Sequence, residues 1–144
     1  MRPDPRLSRV GEVLILSLPL DPDLARLFPA RLKRLRRVLL SPARAGMAAA
    51  LAEGDRKVTL ALPDTPTGHA MAGHLLGRID AIMAETYAEA AVARRLDLPV
   101  AELRDRARAA SVTARICHAD RQGRRYGYAA YPVADILRLA KGRP

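Results

Sequence analysis

Residues 87–141 read YAEAAVARRLDLPVAELRDRARAASVTARICHADRQGRRYGYAAYPVADILRLAK, and the order of elements within them decides how the chain is read. Ala88–Leu96 carries apolar residues at helical spacing, which predicts a short helix. Asp97-Leu98-Pro99 is a tight connection, and Val100–Ala110 predicts a second short helix with Val100, Leu103 and Ala107 inward. Val112–His118 predicts a strand with Val112, Ala114 and Ile116 on one face, because side chains alternate along a strand. Asp120-Arg-Gln-Gly123 suits a type I turn. Arg124–Ala129 is then the returning strand, and Pro132–Lys141 a closing helix with Val133, Ile136, Leu137 and Ala140 inward.

Helix, turn, helix, hairpin, helix is the order of a winged helix-turn-helix. The stretch resembles the DNA-binding head of MerR-type and phage-excisionase-type proteins. Tyr87 with Ala90, Ala91, Val92, Ala93 and Leu96 resembles the first helix of such a head, and Leu98-Pro99 its turn. Leu103-Arg104 is similar to the apolar-then-Arg pair that opens the recognition helix. Gly123-Arg-Arg-Tyr126 resembles the wing, and Tyr131-Pro-Val-Ala-Asp135-Ile-Leu the start of the helix after it. The likeness covers under half of the chain. It does not extend to the long dimerisation helix of MerR regulators, and it leaves about 85 preceding residues unexplained. Effector sensing and MerR-style dimerisation are therefore not implied.

In such a fold the second helix enters the major groove, and the wing follows the backbone or the minor groove. The resemblance thus assigns major-groove reading to helix 100–110 and backbone contact to wing 119–126. Arg104 and Arg108, four apart on the outward side, suit bidentate contact with guanine. Asp105 and Glu102 stand beside them and would repel phosphates unless they position the arginines. Arg121, Arg124 and Arg125 surround the wing tip, where guanidiniums meet phosphate and make affinity fall with salt. Arg94, Arg95 and Tyr126 complete the expected DNA-binding set. Tyr126 and Tyr128 alternate with Gly127, a spacing better suited to core filling with a hydrogen-bonded hydroxyl than to DNA contact.

Working outward, Glu12–Leu18 and Lys57–Leu62 are short apolar runs closed by prolines, which predicts two strands. A helix is expected from about Asp23, with Pro29 interrupting it or opening another. Arg31–Leu40 places Leu32, Leu35 and Leu39 at helical spacing, with Arg31, Lys33, Arg34, Arg36 and Arg37 between them as a second basic patch. Ser41-Pro42 reads as a stop and restart, followed by a helix from Ala43 to Gly54-Asp55. Residues from about Thr67 to Leu96 read as helical, with Met71, Leu75, Ile79 and Ile82 on one stripe and a break near Ala84–Thr86. The expected class is α+β and mostly helical: N-terminal helices with two short strands, then the C-terminal winged helix-turn-helix. The expected division is 1–84 and 85–144.

Composition bounds the function. Of 144 residues 25 are Lys or Arg and 15 Asp or Glu, a formal charge of +10. A surplus of that size favours a polyanionic partner. The surplus is shared, +5 in residues 1–84 and +5 in 85–144. Cys117 is the one cysteine, which excludes a disulfide-stapled domain. No apolar run approaches the roughly 18 residues of a membrane span, and Met1–Arg6 does not open a signal peptide. A prokaryotic or phage-infected cytoplasm is the expected compartment.

The catalytic inventory is thin. His69 and His74 are five apart, too far around a helix to converge on a metal, and Cys117 and His118 point to opposite faces of a strand. No CxxC, HExxH, Walker-type loop or GxSxG is present. Asp64–Gly68 reads as a helix cap segment and not as a phosphate loop. A non-enzymatic protein without metal or cofactor is therefore expected, with double-stranded DNA as its partner. It would act as a small transcription regulator or a phage-type excision or packaging factor. The alternatives are an adaptor that uses the winged helix as a docking scaffold, and a binder of structured RNA. Two half-sites would favour a homodimer, although no coiled-coil heptads support one. Residues 1–84 are a candidate surface for a protein partner.

Overall fold

Asp21 ends an extended segment and caps the first helix, its carboxylate accepting from the backbone N–H of Asp23 at 2.9 Å. The computed structural model describes residues 4–54 and 56–141. The expectations resting on Met1–Pro3 and on Asp55 lie outside the described residues. Two compact units are formed, Met1–Ile82 and Met83–Pro144.

The first unit runs β1 (Leu7–Val10), β2 (Val13–Pro19), α1 (Pro22–Leu27), α2 (Pro29–Arg44), β3 (Ala50–Glu53), β4 (Lys57–Pro63) and α3 (Pro66–Met83). Its strands form an antiparallel sheet in the order β1-β2-β4-β3. Leu14 faces Leu62 and Leu16 faces Leu60 across the β2–β4 ladder, so one face of the sheet is continuously apolar. Those leucines are buried together with Phe28, Leu35, Val38 and Leu39 of the first helical stretch and Leu75, Ile79 and Ile82 of α3. Gly68 lets α3 start close to the end of β4. A Cβ there would lie 1.8 Å from the Pro63 carbonyl oxygen. Thr65 Oγ1 accepts from the Gly68 N–H at 3.1 Å and caps the turn.

The second unit runs β5 (Thr86–Ala88), α4 (Glu89–Leu96), α5 (Val100–Ala109), β6 (Arg115–Arg121), β7 (Arg124–Pro132) and α6 (Val133–Ala140). Its antiparallel sheet has the order β5-β7-β6. Val92, Leu96, Leu103, Val133 and Ile136 are at most 1% exposed and form its core with Ala130 and Tyr131. No helix among the described residues is long and apolar enough to cross a membrane.

The expectation of a mostly helical chain, with two short N-terminal strands and the two strands of the C-terminal hairpin, is corrected. Among the described residues there are six helices and seven strands, 48% and 30% of the residues, in two antiparallel sheets. Three strands account for the difference. β1 (LSRV) is a polar edge strand, and β5 (TYA) has three residues. β3 (ALAE) consists of helix formers that pair with β4 instead, a case of tertiary pairing overriding propensity. The helix expected from Ala43 to Gly54 is therefore absent.

Ser41-Pro42 is not a stop. α2 passes through it to Arg44, with Pro42 inside the helix. Proline removes the N–H that Val38 O would accept four residues back. Ser41 Oγ donates to that carbonyl instead, at 2.6 Å.

Candidate nucleic-acid interface

α4 ends where Asp97 adopts the left-handed conformation (φ 55°), and the Leu98 N–H bonds to Ala93 O at 2.9 Å. Pro99 then caps α5, whose first helical residue is Val100. Leu103 and Ala107 are buried, which turns Arg104 and Arg108 to solvent. Neither guanidinium is idle. Arg104 donates from Nε and Nη2 to the two carboxylate oxygens of Glu89 at 3.0 and 2.8 Å. The hydrogen bonds to Glu89 raise the proton affinity of Arg104 further. Arg108 pairs with Asp105 at 3.3 Å, both side chains more than 70% exposed, a surface pair of small energetic weight. Arg106 lies toward Glu102 at 3.6 Å.

A cavity of about 480 Å³ opens beside this face, lined by Glu89, Arg104, Arg108, Ser111, Thr113 and Tyr131 among others. Tyr131 is 2% exposed. Burial, then the Glu89 carboxylate, push its phenol up, so it stays neutral and can donate. On α4, Arg94 is exposed, and Arg95 lies over the Tyr87 ring with its guanidinium carbon 4.6 Å from the centroid. That stacking is a cation–π contact.

The hairpin differs from expectation at both ends. β6 begins at Arg115 and not at Val112, which packs as a buried residue ahead of the strand. Ile116 points outward at 65% exposure and does not share an inner face with Val112. The strands continue to Arg121 and from Arg124, which leaves Gln122-Gly123 as a two-residue loop. Both loop residues have positive φ, 52° and 77°. That is the pattern of a type I′ turn, whose twist matches paired strands, and it replaces the type I turn expected from Asp120.

Register sorts the wing residues. Arg121 stands directly opposite Arg124, and Asp120 opposite Arg125. Cross-strand partners share a face. Arg121 and Arg124 therefore lie on one face with Tyr126 and Tyr128, while Arg125 lies on the other with Ile116, His118 and Gly127. The structure does not bring the three arginines to one side. Residues 120–127 are all exposed, so both faces of the tip are open to solvent. Tyr126 is 45% exposed with its ring centroid 6.1 Å from that of Tyr128, which places it outside the core.

The basic run on α2 does not form one continuous patch. Lys33, Arg36 and Arg37 are exposed and Arg31 and Arg34 are half-buried. Arg36 turns to Glu53 at 3.1 Å. His69 Nε2 meets Asp64 Oδ1 at 2.6 Å, and Arg9 takes the other oxygen at 2.8 Å. Among the described residues no group of three His, Cys, Asp or Glu side chains is placed to hold a metal ion.

Two participants escaped the sequence reading. Glu89 is Arg104's partner across fifteen positions, beyond any local spacing rule. Tyr131 lines the same cavity from β7, a placement that follows only from strand pairing. No known protein family, curated protein or solved structure matches this chain.

Proposed function

We propose that residues 83–144 are a winged helix-turn-helix that binds double-stranded DNA, in a small transcription regulator or a phage-type excision or packaging factor. The observation that carries this reading is the β6–β7 tip. Arg121 and Arg124 oppose each other directly, and like charges at such a pair destabilise a sheet. Among the described residues neither Arg121 nor Arg124 makes an ion pair, while Arg125 has Asp120 across the ladder from it. Backbone phosphates would supply the missing anions and release counterions as they do so. α5 would then offer Arg104 and Arg108 to base edges, with Arg104 exchanging Glu89 for guanine.

Selection of bound genomic fragments by the purified protein at moderate salt tests this reading. Enrichment of a shared site supports it. Failure to retain any duplex at low salt contradicts it. A second reading, in which the hairpin docks on a protein, is favoured by exposed Ile116 beside Gly127, whose added Cβ would touch Ile116 at 3.3 Å. On that reading an apolar strip and not the arginines would form the contact.

A further inference from the structure

In the first unit three arginines from two helices meet over an apolar floor. Arg34 and Arg37 are three apart on α2 and so share a face. Arg78 approaches the same point from α3, and Val38, Ala81 and Ile82 complete a cavity of about 210 Å³. No carboxylate lines it. Asp80, two positions from Arg78, is held by Arg6 Nη1 and Nη2 at 2.7 and 3.1 Å. Arg36 leaves in another direction, to Glu53. Among the described residues neither Arg37 nor Arg78 has an acidic partner.

We propose that this pocket binds a phosphoryl group carried on a small apolar body, the monoester of a small molecule. Guanidinium forks match phosphate oxygens bidentately. A carboxylate has two oxygens and one charge, enough for one fork. A phosphate monoester presents three oxygens and a charge of about −1.5 to −2 near neutral pH, which the two guanidiniums of Arg37 and Arg78 can share. Ala81 is exposed and lines the pocket beside the packed Val38 and Ile82, so the organic part meets a small apolar surface. The volume is below the roughly 300–1,000 Å³ of pockets for drug-sized ligands, which limits that part to about one small ring. A nucleic-acid backbone would not use such a floor. The inference concerns the first unit alone and does not depend on the DNA reading.

Calorimetry and thermal unfolding of the full chain with phenyl phosphate, inorganic phosphate, benzoate and chloride at matched ionic strength test it. Phenyl phosphate is expected to bind one per chain and raise the Tm saturably. Inorganic phosphate should bind at least tenfold more weakly, and benzoate and chloride should have no specific effect. Arg37→Gln with Arg78→Gln changes two exposed side chains. That variant should fold with an unchanged or higher Tm in chloride and bind phenyl phosphate at least tenfold more weakly, while Arg36→Gln binds normally. The proposal is overturned by equal binding in the double variant, by benzoate or inorganic phosphate matching phenyl phosphate, or by displacement of phenyl phosphate by duplex DNA.

Discussion

Arg104 in α5 holds Glu89 in the first turn of α4 through two parallel hydrogen bonds of 3.0 and 2.8 Å. The fork that would read guanine is thus occupied in the free protein. Reading requires an exchange of one anion for another acceptor. Glu89→Gln removes the competing charge, so duplex binding is expected to tighten. Arg104→Ala is expected to relax preference at one base position by roughly 5- to 150-fold, the range of a good bidentate guanine contact. Arg108→Ala should act at a neighbouring position. Competition binding against single-base variants of the selected site measures all three.

The Gln122-Gly123 loop needs positive φ at both positions. An L side chain in that region costs about 1–2 kcal/mol, so Gly123→Ala should destabilise the hairpin by about 1 kcal/mol. Gln122→Asn should stabilise it, because Asn-Gly suits type I′ turns best. Hydrogen exchange of β6 and β7 amides reports both changes locally.

Gly68 and Gly77 make a matched pair on α3. A Cβ at Gly68 meets the Pro63 backbone oxygen at 1.8 Å, whereas one at Gly77 meets nothing within 4 Å. Gly68→Ala is expected to cost about 3 kcal/mol, the upper end of overpacking, because the obstacle is backbone. Gly77→Ala should stabilise by about 1 kcal/mol through helix propensity. Thermal unfolding should show shifts of opposite sign.

Arg6 donates to Asp4 from its side chain at 2.8 and 3.0 Å and from its backbone N–H at 2.9 Å. The side-chain bonds first, then the backbone bond, hold the Asp4 carboxyl down from 3.8 to about 2. A carboxyl whose pKa is lower in the folded state stabilises that state when ionised. The contribution is complete above about pH 4 and is lost as pH falls toward about 2. Asp4 is near the surface, so the effect is modest. Asp4→Asn should flatten this part of the Tm-versus-pH curve between pH 5 and 2.

The helices of the second unit are legible because their apolar residues repeat at helical spacing and Pro99 and Pro132 mark two starts. The edge strands were not legible. LSRV and TYA are too short to show alternation, and ALAE carries helix formers whose pairing with Thr59 and Leu60 lies outside local sequence. Pro42 misled because its missing donor is compensated by Ser41 one residue earlier. Arg104, Arg108 and the wing arginines were visible as residue types. Their engagement was not, since Glu89 reaches Arg104 through the packing of α4 against α5, and the Arg121–Arg124 opposition depends on a turn two residues long. Arg78 is the one arginine of α3, and only the fold brings it to Arg34 and Arg37.

Phosphate contact by the wing is tested by the salt dependence of duplex binding for the native chain and for Arg121→Ala/Arg124→Ala/Arg125→Ala. Each phosphate contact contributes about 0.9 to the slope of log affinity against log salt. The native chain is expected to bind the selected duplex with a slope steeper by about 2–3 than the variant, which should weaken on every duplex while its Tm stays equal or rises. Absence of duplex binding at low salt, or identical slopes for the two proteins, would contradict the account.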